Sequence, residues 1–191
     1  QVAIVPAGGR TGLSGGAVAA NSELVLSLER MNRVLDFNAV DRTLTVQPGI
    51  ILQTVHEAAH SHGLVYPVDF AARGSCSIGG NIATNAGGIR VIRYGNTREW
   101  IAALKVVAGN GELLELNRGL IKNSSGYDFR QLMIGSEGTL GIVVEATLKL
   151  TDPPPPSQVM LLALPDMDAL MQVFALFHAR LSLQAFEFFT D

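Results

Sequence analysis

The chain has 191 residues, is 48% hydrophobic and 16% charged, and carries a formal net charge of −3. That length supports one full domain with a real core and the start of a second. Mild acidity without any basic run gives no electrostatic reason to expect nucleic acid or an anionic membrane as partner, and no apolar run approaches the ~20 residues that span a bilayer. The single cysteine, Cys76, excludes an intramolecular disulfide framework and fits a reducing compartment.

No signal peptide is visible. The chain opens on "QVAIVP", mid-strand, and reads as a segment of a longer protein. "VAIV" and "ELVLSL" (23–28) are buried-strand candidates, and "RVLDF" with "TLTVQPG" alternate apolar and polar residues as a hairpin does. "IILQTVHEAAHSHG" predicts a helix with Ile51, Leu52, Val55 and Ala59 on one face and Gly63 just past its end. A segment rich in Gly, Ser, Asn and Ala follows from Tyr66 to Gly95. "LKVVAGNGELLEL" predicts a second hairpin, with Asn110-Gly111 supplying the positive φ of its turn. "IVVEATLKL" predicts a strand in which Val143, Glu145, Thr147 and Lys149 alternate against Val144, Ala146, Leu148 and Leu150. The proline run 153–156 is the clearest boundary, because proline donates nothing to a ladder and consecutive prolines stiffen the chain. Beyond it "VMLLALP" predicts a strand, and "DMDALMQVFALFHARL" a helix. Its apolar face of Met167, Leu170, Met171, Phe174, Phe177 and Leu181 reads as core packing. "AFEFFTD" predicts the start of another strand.

The chemistry concentrates in glycine. "VPAGGRTGLSGG" (5–16) follows the first strand candidate, as phosphate-binding turns do. A P-loop needs a Lys after its last glycine, and the first Lys here is Lys105. A dinucleotide fingerprint needs G-x-G and then a helix, and the stretch offers neither. What remains is a cradle of loop amides, in which glycine admits positive φ and close backbone approach. "GSCSIGGNIATNAGG" (74–88) and "GSEGTLG" (135–141) are two further weakly charged stretches of this kind. Together they predict a long ligand gripped by backbone, such as a cofactor with a pyrophosphate, a ribityl chain and a ring.

Taken in order, "PAGGRTGLSGG", "GSCSIGGNIATNAGGIRVIRYGNTREWI" and "KNSSGYDFRQLMIGSEGTLGIV" resemble the PCMH-type FAD-binding domain of the vanillyl-alcohol-oxidase family of flavoproteins. Within the family they are most similar to the branch of D-2-hydroxyglutarate dehydrogenases, D-lactate dehydrogenases and glycolate oxidase subunits, the first above all. "AFEFFTD" resembles the start of that branch's substrate domain. The resemblance implies an α+β fold of two subdomains with FAD between them, truncated at its N-terminus. It implies the first β-α-β of a ferredoxin-like substrate domain after it: a FAD-binding domain over 1–151, a linker over 152–157, and a truncated substrate domain from 158 to 191.

By motif match, Ala7, Gly8, Gly9, Arg10, Thr11, Gly12, Gly15 and Gly16 would offer amides to the pyrophosphate. Pro67 and Asp69 would lie near the flavin ring. Gly74, Ser75, Ser77, Gly79, Gly80, Asn81, Thr84, Asn85, Gly87 and Gly88 would line the pyrophosphate, ribityl chain and ring. Glu137, Gly138, Gly141 and Ile142 would close the pocket. Arg10 stands where some relatives carry a tethering His, so the expected FAD is non-covalent; Cys76, beside a position used for cysteinyl tethering, reads as a small buried residue. The implied reaction is oxidation of a D-2-hydroxyacid to the 2-keto acid, hydride passing from the substrate Cα to flavin N5 and electrons onward to a carrier or quinone. The family's catalytic residues and a divalent metal site belong to the substrate domain, so no catalytic residue is assigned in this chain. The resemblance is compatible with a homodimer, with a cytoplasmic or mitochondrial-matrix location, and with peripheral membrane association.

One rival pattern competes. His56, Glu57 and His60 spell the H-E-x-x-H of zinc proteases, which aims two imidazoles at one metal. Gly63 ends the helix early and no His or Glu follows before Glu99 as a third ligand, so a solvated helix face is the preferred reading. A third class, a non-catalytic FAD-binding fragment, differs from the enzyme only in what accompanies the domain.

Overall fold

The computed structural model describes residues 2–190. The first strand, β1 (Ile4–Ala7), pairs in parallel with β2 (Leu24–Ser27), Ile4 opposite Leu24 through Ala7 opposite Ser27. Parallel neighbours need a long crossover, and here the crossover is the first glycine stretch itself rather than a helix. The expectation that these apolar strands are buried is not met: none of residues 2–5 or 23–28 is buried, and Ala7, beyond the predicted stretch, is the buried residue of the pair. Ile4 and Leu24 are 54% and 61% exposed, because a two-stranded sheet has no layer over this face among the described residues.

Next come β3 (Val34–Asn38) and β4 (Thr43–Val46), the predicted antiparallel hairpin. Asn38 Oδ1 closes the turn by accepting from the amides of Val40 (2.9 Å) and Asp41 (3.0 Å). Helix α1 (Leu52–Ser61) buries Leu52, Val55 and Ala59 and ends before Gly63, whose φ of +73° completes the stop. Ile51 is not on its face. It is the extended residue before the helix and forms a bridge with Ser77.

The sequence pattern gave no helix between Tyr66 and Gly95, yet α2 (Ile78–Ala83) and the single turn α3 (Val91–Tyr94) form there. Gly79 and Gly80 weaken α2 by propensity. The Ser77 side chain caps its first turn, and Ile78 and Ile82 are buried in the core, which outweighs that cost.

The remaining elements are β5 (Ile101–Ala108), β6 (Leu113–Leu116), the turn α4 (Arg130–Met133), β7 (Gly141–Lys149) and α5 (Met167–Arg180). In the β5–β6 turn only Gly111 has positive φ (+85°); Asn110 instead accepts from the Glu112 amide at 3.0 Å. The large sheet runs β3-β4-β7-β5-β6, antiparallel throughout, with the last strand in its centre.

One face of this sheet carries the core: Leu44 and Val46 of β4, Leu104 and Val106 of β5, Ala146 and Leu148 of β7, packed with α1 and α2. The other face is polar at its centre, with a Thr45–Thr147 hydroxyl pair at 3.0 Å and a Lys105–Glu145 ion pair at 2.9 Å. The predicted alternation of β7 breaks at one point. Lys105 pairs with Glu145 but Val106 with Val143, so Val144 is bulged out of the ladder and Val143 turns inward.

After the proline run the structure departs from expectation. Residues 159–165 and 185–190 form no strand, since no described segment offers them a ladder partner; Asp191, the end of the second predicted strand, lies outside the described residues. Helix α5 is present and capped by Asp166, which accepts from the Ala169 amide at 2.8 Å. It buries no residue, and Met167 and Met171 are about half exposed, so its apolar stripe is not core here. Phe174 meets the edge of Phe186, ring centres 5.0 Å apart, and the His178 ring of its own helix at 5.6 Å.

Candidate functional site

The first two glycine stretches meet at Ser77. Its hydroxyl oxygen accepts from the Gly9 amide (3.2 Å) in the crossover and from the Gly80 amide (3.4 Å) in α2. The backbones touch so closely that a Cβ on Gly8 would enter the Ser77 hydroxyl and one on Gly9 the Ser75 carbonyl. The third stretch is tied to the other end of α2: the Gly135 and Glu137 amides donate to Ile82 O (3.0 Å) and Ala83 O (2.9 Å). These bonds satisfy carbonyls that a helix end otherwise leaves orphaned, and they draw all three stretches around one helix.

Replacing Ser77 by Ala removes a cap and a loop latch from a side chain that is 3% exposed. The expected loss is about 1–3 kcal/mol, set by the lost helix cap and by two part-buried amides left without an acceptor. Chemical denaturation of wild type and Ser77→Ala measures it, and an unchanged midpoint would remove Ser77 from this role.

Between the stretches lies a cavity of about 310 Å³, within the ~300–1,000 Å³ range of ligand clefts. From the first stretch Ala7, Gly8, Gly9, Arg10, Thr11, Gly12 and Gly16 line it; from the second, Ser77, Gly79, Gly80, Asn81 and Thr84; from the third, Glu137, Gly138, Gly141 and Ile142. The other residues singled out from sequence do not line it. Gly15 sits in the same loop facing open space, and Gly74 and Ser75 are exposed on its approach. Pro67 is buried beneath. Asp69 spends its carboxylate on Arg73 (3.2 Å) and Arg90 (4.0 Å), while Gly88 packs against its backbone. Asn85 accepts from the Arg98 amide at 3.0 Å, and Gly87 packs on Asn96. These residues shape the turns that hold the cavity wall.

Sequence reasoning missed the apolar part of the wall: Leu28, Phe70, Ala72, Ala86, Met133 and Val143. Ala86, Met133 and Val143 stand inside quoted motifs and Phe70 directly follows Asp69, but each is an apolar position that carries no ligand signal of its own. Leu28 and Ala72 lie outside the glycine stretches, and only the fold brings all six to one surface.

The wall is nearly neutral. Among the described residues Arg10 and Glu137 are its charged side chains, and both have left-handed backbone (φ +53° and +52°). Such residues cost on the order of 1 kcal/mol each and collect at functional sites. Arg10 reaches outward to Glu29 at 3.4 Å. Amides and hydroxyls are therefore what the cavity offers an anion.

Cys76 lines the cavity but is 2% exposed, and its sulfur accepts from Asn81 Nδ2 at 3.6 Å. Burial pushes its thiol above the ordinary range, so the thiol stays protonated and unreactive. Iodoacetamide at mildly alkaline pH is expected to leave Cys76 unmodified in the folded protein and to alkylate it in denaturant. Rapid labelling of the native protein, read by mass spectrometry, would contradict this.

The His56-Glu57-His60 pattern is used otherwise. His56 Nε2 is 2.9 Å from Val68 O, Glu57 accepts from Gln53 Nε2, and His60 is exposed. No group of three or more His, Cys, Asp or Glu is placed to hold a metal among the described residues. His62, after the helix end, lies flat on Phe37 with ring centres 3.6 Å apart.

Residues 1–117 match the family described as FAD binding domain. The chain belongs to that family. It is 83% identical over 190 residues to a D-2-hydroxyglutarate dehydrogenase of Xanthomonas citri pv. viticola, covering 100% of this chain and 40% of that protein. It is 58% identical to the D-2-hydroxyglutarate dehydrogenase of Stutzerimonas stutzeri, covering 100% of this chain and 41% of the other. Similarity extends to a D-lactate dehydrogenase of Anaerostipes hadrus, 40% identical over 98% of this chain and 40% of that one. The chain thus spans about 40% of the length of these relatives. Among solved structures, an alkyldihydroxyacetonephosphate synthase superposes with a TM-score of 0.70 at 29% identity, covering 81% of this chain and 28% of that one. The two-sheet architecture is that of the PCMH-type FAD-binding fold.

The residues present fit the family's cofactor. The first stretch leaves room where a ligand must lie: no atom stands within 4 Å of a Cβ placed on Gly12. The neutral, amide-rich wall suits a pyrophosphate, and Phe70 with Met133 suits an apolar ring.

Proposed function

We propose that this chain is the FAD-binding portion of a flavin-dependent dehydrogenase that oxidises a D-2-hydroxyacid, of the D-2-hydroxyglutarate or D-lactate type, to the 2-keto acid. The observation that carries the reading is the meeting of three glycine stretches around α2 on a cavity almost free of charge. The names of the relatives supply the substrate class.

In this reading the amides of Gly8, Arg10, Thr11 and Gly12 hold the pyrophosphate, while Ser77 takes the Gly9 and Gly80 amides and so fixes both loops, and Gly79, bonded to Pro48 O, lines the wall by its small size. Thr84, Asn81 and the 137–142 segment enclose the remainder, and Phe70 and Met133 exclude water from the ring. Gly15, Pro67, Asp69, Gly74, Ser75, Asn85, Gly87 and Gly88 hold that wall in shape. Bound FAD supplies a two-electron acceptor for breaking the substrate C–H bond. The hydroxyl proton goes to a base in the accompanying substrate domain, and the electrons leave to a carrier or quinone. The flavin is non-covalent, since Arg10 points to Glu29 and Cys76 is buried and protonated.

The domain division follows: a FAD-binding domain over 1–151, a proline-rich linker over 152–157, and the opening of the substrate domain from 158. The unpartnered stripe of α5 supports that last assignment. No described helix is long and apolar enough to cross a membrane, and the relatives from Bos taurus and Rattus norvegicus are named as mitochondrial. A cytoplasmic or matrix location belongs to the same proposal.

Anaerobic titration of the full-length holoenzyme with hydroxyacids tests the reading. D-2-hydroxyglutarate or D-lactate is expected to bleach the visible flavin band, and the L-enantiomers to leave it. A protein that stays colourless after incubation with FAD, or a flavin that neither D-acid reduces, would overturn it.

A further inference from the structure

A second pocket of about 270 Å³ shares no lining residue with the cofactor cavity. Arg98, Arg130 and Lys149 line it together with Glu99, and the apolar part of its wall comes from Ile101, Leu120 and Ile121. The two arginines are already engaged. Arg98 donates to neutral acceptors only, Gln131 O (2.8 Å), Gln131 Oε1 (2.6 Å) and Ile134 O (2.7 Å). Arg130 holds Asp128 through two nitrogens (2.8 and 2.7 Å) and donates to the carbonyls of Ile101 and Ala102.

Lys149 is different. At the last residue of β7 it is half-buried, and among the described residues its ammonium forms no ion pair or hydrogen bond. Burial and then the Arg130 charge hold it below the usual lysine range, against the weaker opposing pull of Glu99. Against the three cations stand Glu99 on the wall and Asp128 behind Arg130, which leaves one positive charge in excess. Beside that charge Leu120 and Ile121 are 55% and 64% exposed. A half-buried cation with unspent donors next to uncovered apolar surface matches an anion of one charge with a short hydrocarbon body.

We propose that this pocket is a binding site for a monocarboxylate with a short apolar body, its carboxylate on Lys149 and its body against Leu120 and Ile121. The carboxylate supplies the counter-charge that Lys149 lacks and relieves its repulsion with Arg130. Phosphate suits the site less well, because a second negative charge exceeds the surplus and no polar group on the apolar side receives its remaining oxygens.

The test is calorimetric titration of the FAD-loaded full-length protein with butanoate, formate and inorganic phosphate. Butanoate is expected to bind saturably with Kd of about 1–10 mM, the strength of one assisted ion pair with a small apolar contact. Lys149→Gln should weaken it at least tenfold and Lys149→Arg should retain it. Ile121→Ser should weaken butanoate but leave formate unchanged. With the lysines labelled by reductive methylation, the Lys149 signal in the wild type should titrate at higher pH once butanoate is saturating. This last readout needs no variant to fold. No saturable heat with butanoate, equal binding by Lys149→Gln, tighter binding of phosphate, or an unmoved Lys149 titration would each overturn the proposal.

Discussion

Gly9→Ala is expected to yield a protein that has lost its flavin and much of its stability. A methyl group on Gly9 meets Ser75 O and lies 2.8 Å from Cys76 Cα, and both are main-chain atoms that cannot swing aside. Relief requires moving the crossover away from the 74–77 segment. That movement breaks the Gly9 amide bond to Ser77 and opens the cavity wall at the point where two stretches touch. Forcing a methylene into a packed interior costs about 1–3 kcal/mol or more. In a chain of this size that lowers Tm by roughly 2–4 °C per kcal/mol. Thermal melts and flavin absorbance of the purified variant measure both effects. A Gly9→Ala protein with normal melting and full flavin content would show that the close approach has no energetic weight.

Gly12→Ala is expected to leave stability nearly unchanged and to weaken flavin binding. Its Cβ meets no atom within 4 Å, and its backbone is not in the left-handed region. Stability should therefore stay within about 0.5 kcal/mol of wild type, with any gain coming from a stiffer unfolded chain. The methyl would instead enter the space assigned to the pyrophosphate and displace an oxygen from the loop amides. An affinity loss of at least tenfold, about 1.4 kcal/mol, is expected from fluorescence titration with FAD. An unchanged affinity would move the pyrophosphate away from Gly12. The pair separates two uses of glycine that look alike in one dimension: Gly9 is small for the protein's own backbone, Gly12 for the ligand.

Elements made of local signals were legible in the sequence. The hairpins β3–β4 and β5–β6 follow from period-two alternation with turn residues between, and α1 from its apolar spacing and the stop at Gly63. α2 was not legible, because its two glycines speak against a helix and its cap and core contacts come from elsewhere in the fold. The bulge at Val144 was hidden for a related reason. It depends on where β5 pairs, and nothing in "IVVEATLKL" records that register.

The same division runs through the site. Composition and order alone established that three weakly charged glycine stretches exist and that no P-loop lysine or G-x-G serves them; their motifs resemble those of a FAD-binding family, which the match over residues 1–117 shows. Each of those properties resides in consecutive residues. Tertiary structure decided which of the named residues face one cavity, since Ser77 and Gly88 belong to the same stretch yet only Ser77 reaches it. It also brought Leu28, Met133 and Val143 to the cavity wall from segments far apart in the chain. A motif constrains backbone over a few residues, whereas a cavity is a relation among surfaces set by strand register and by packing around α2. That relation exists only once the chain has folded.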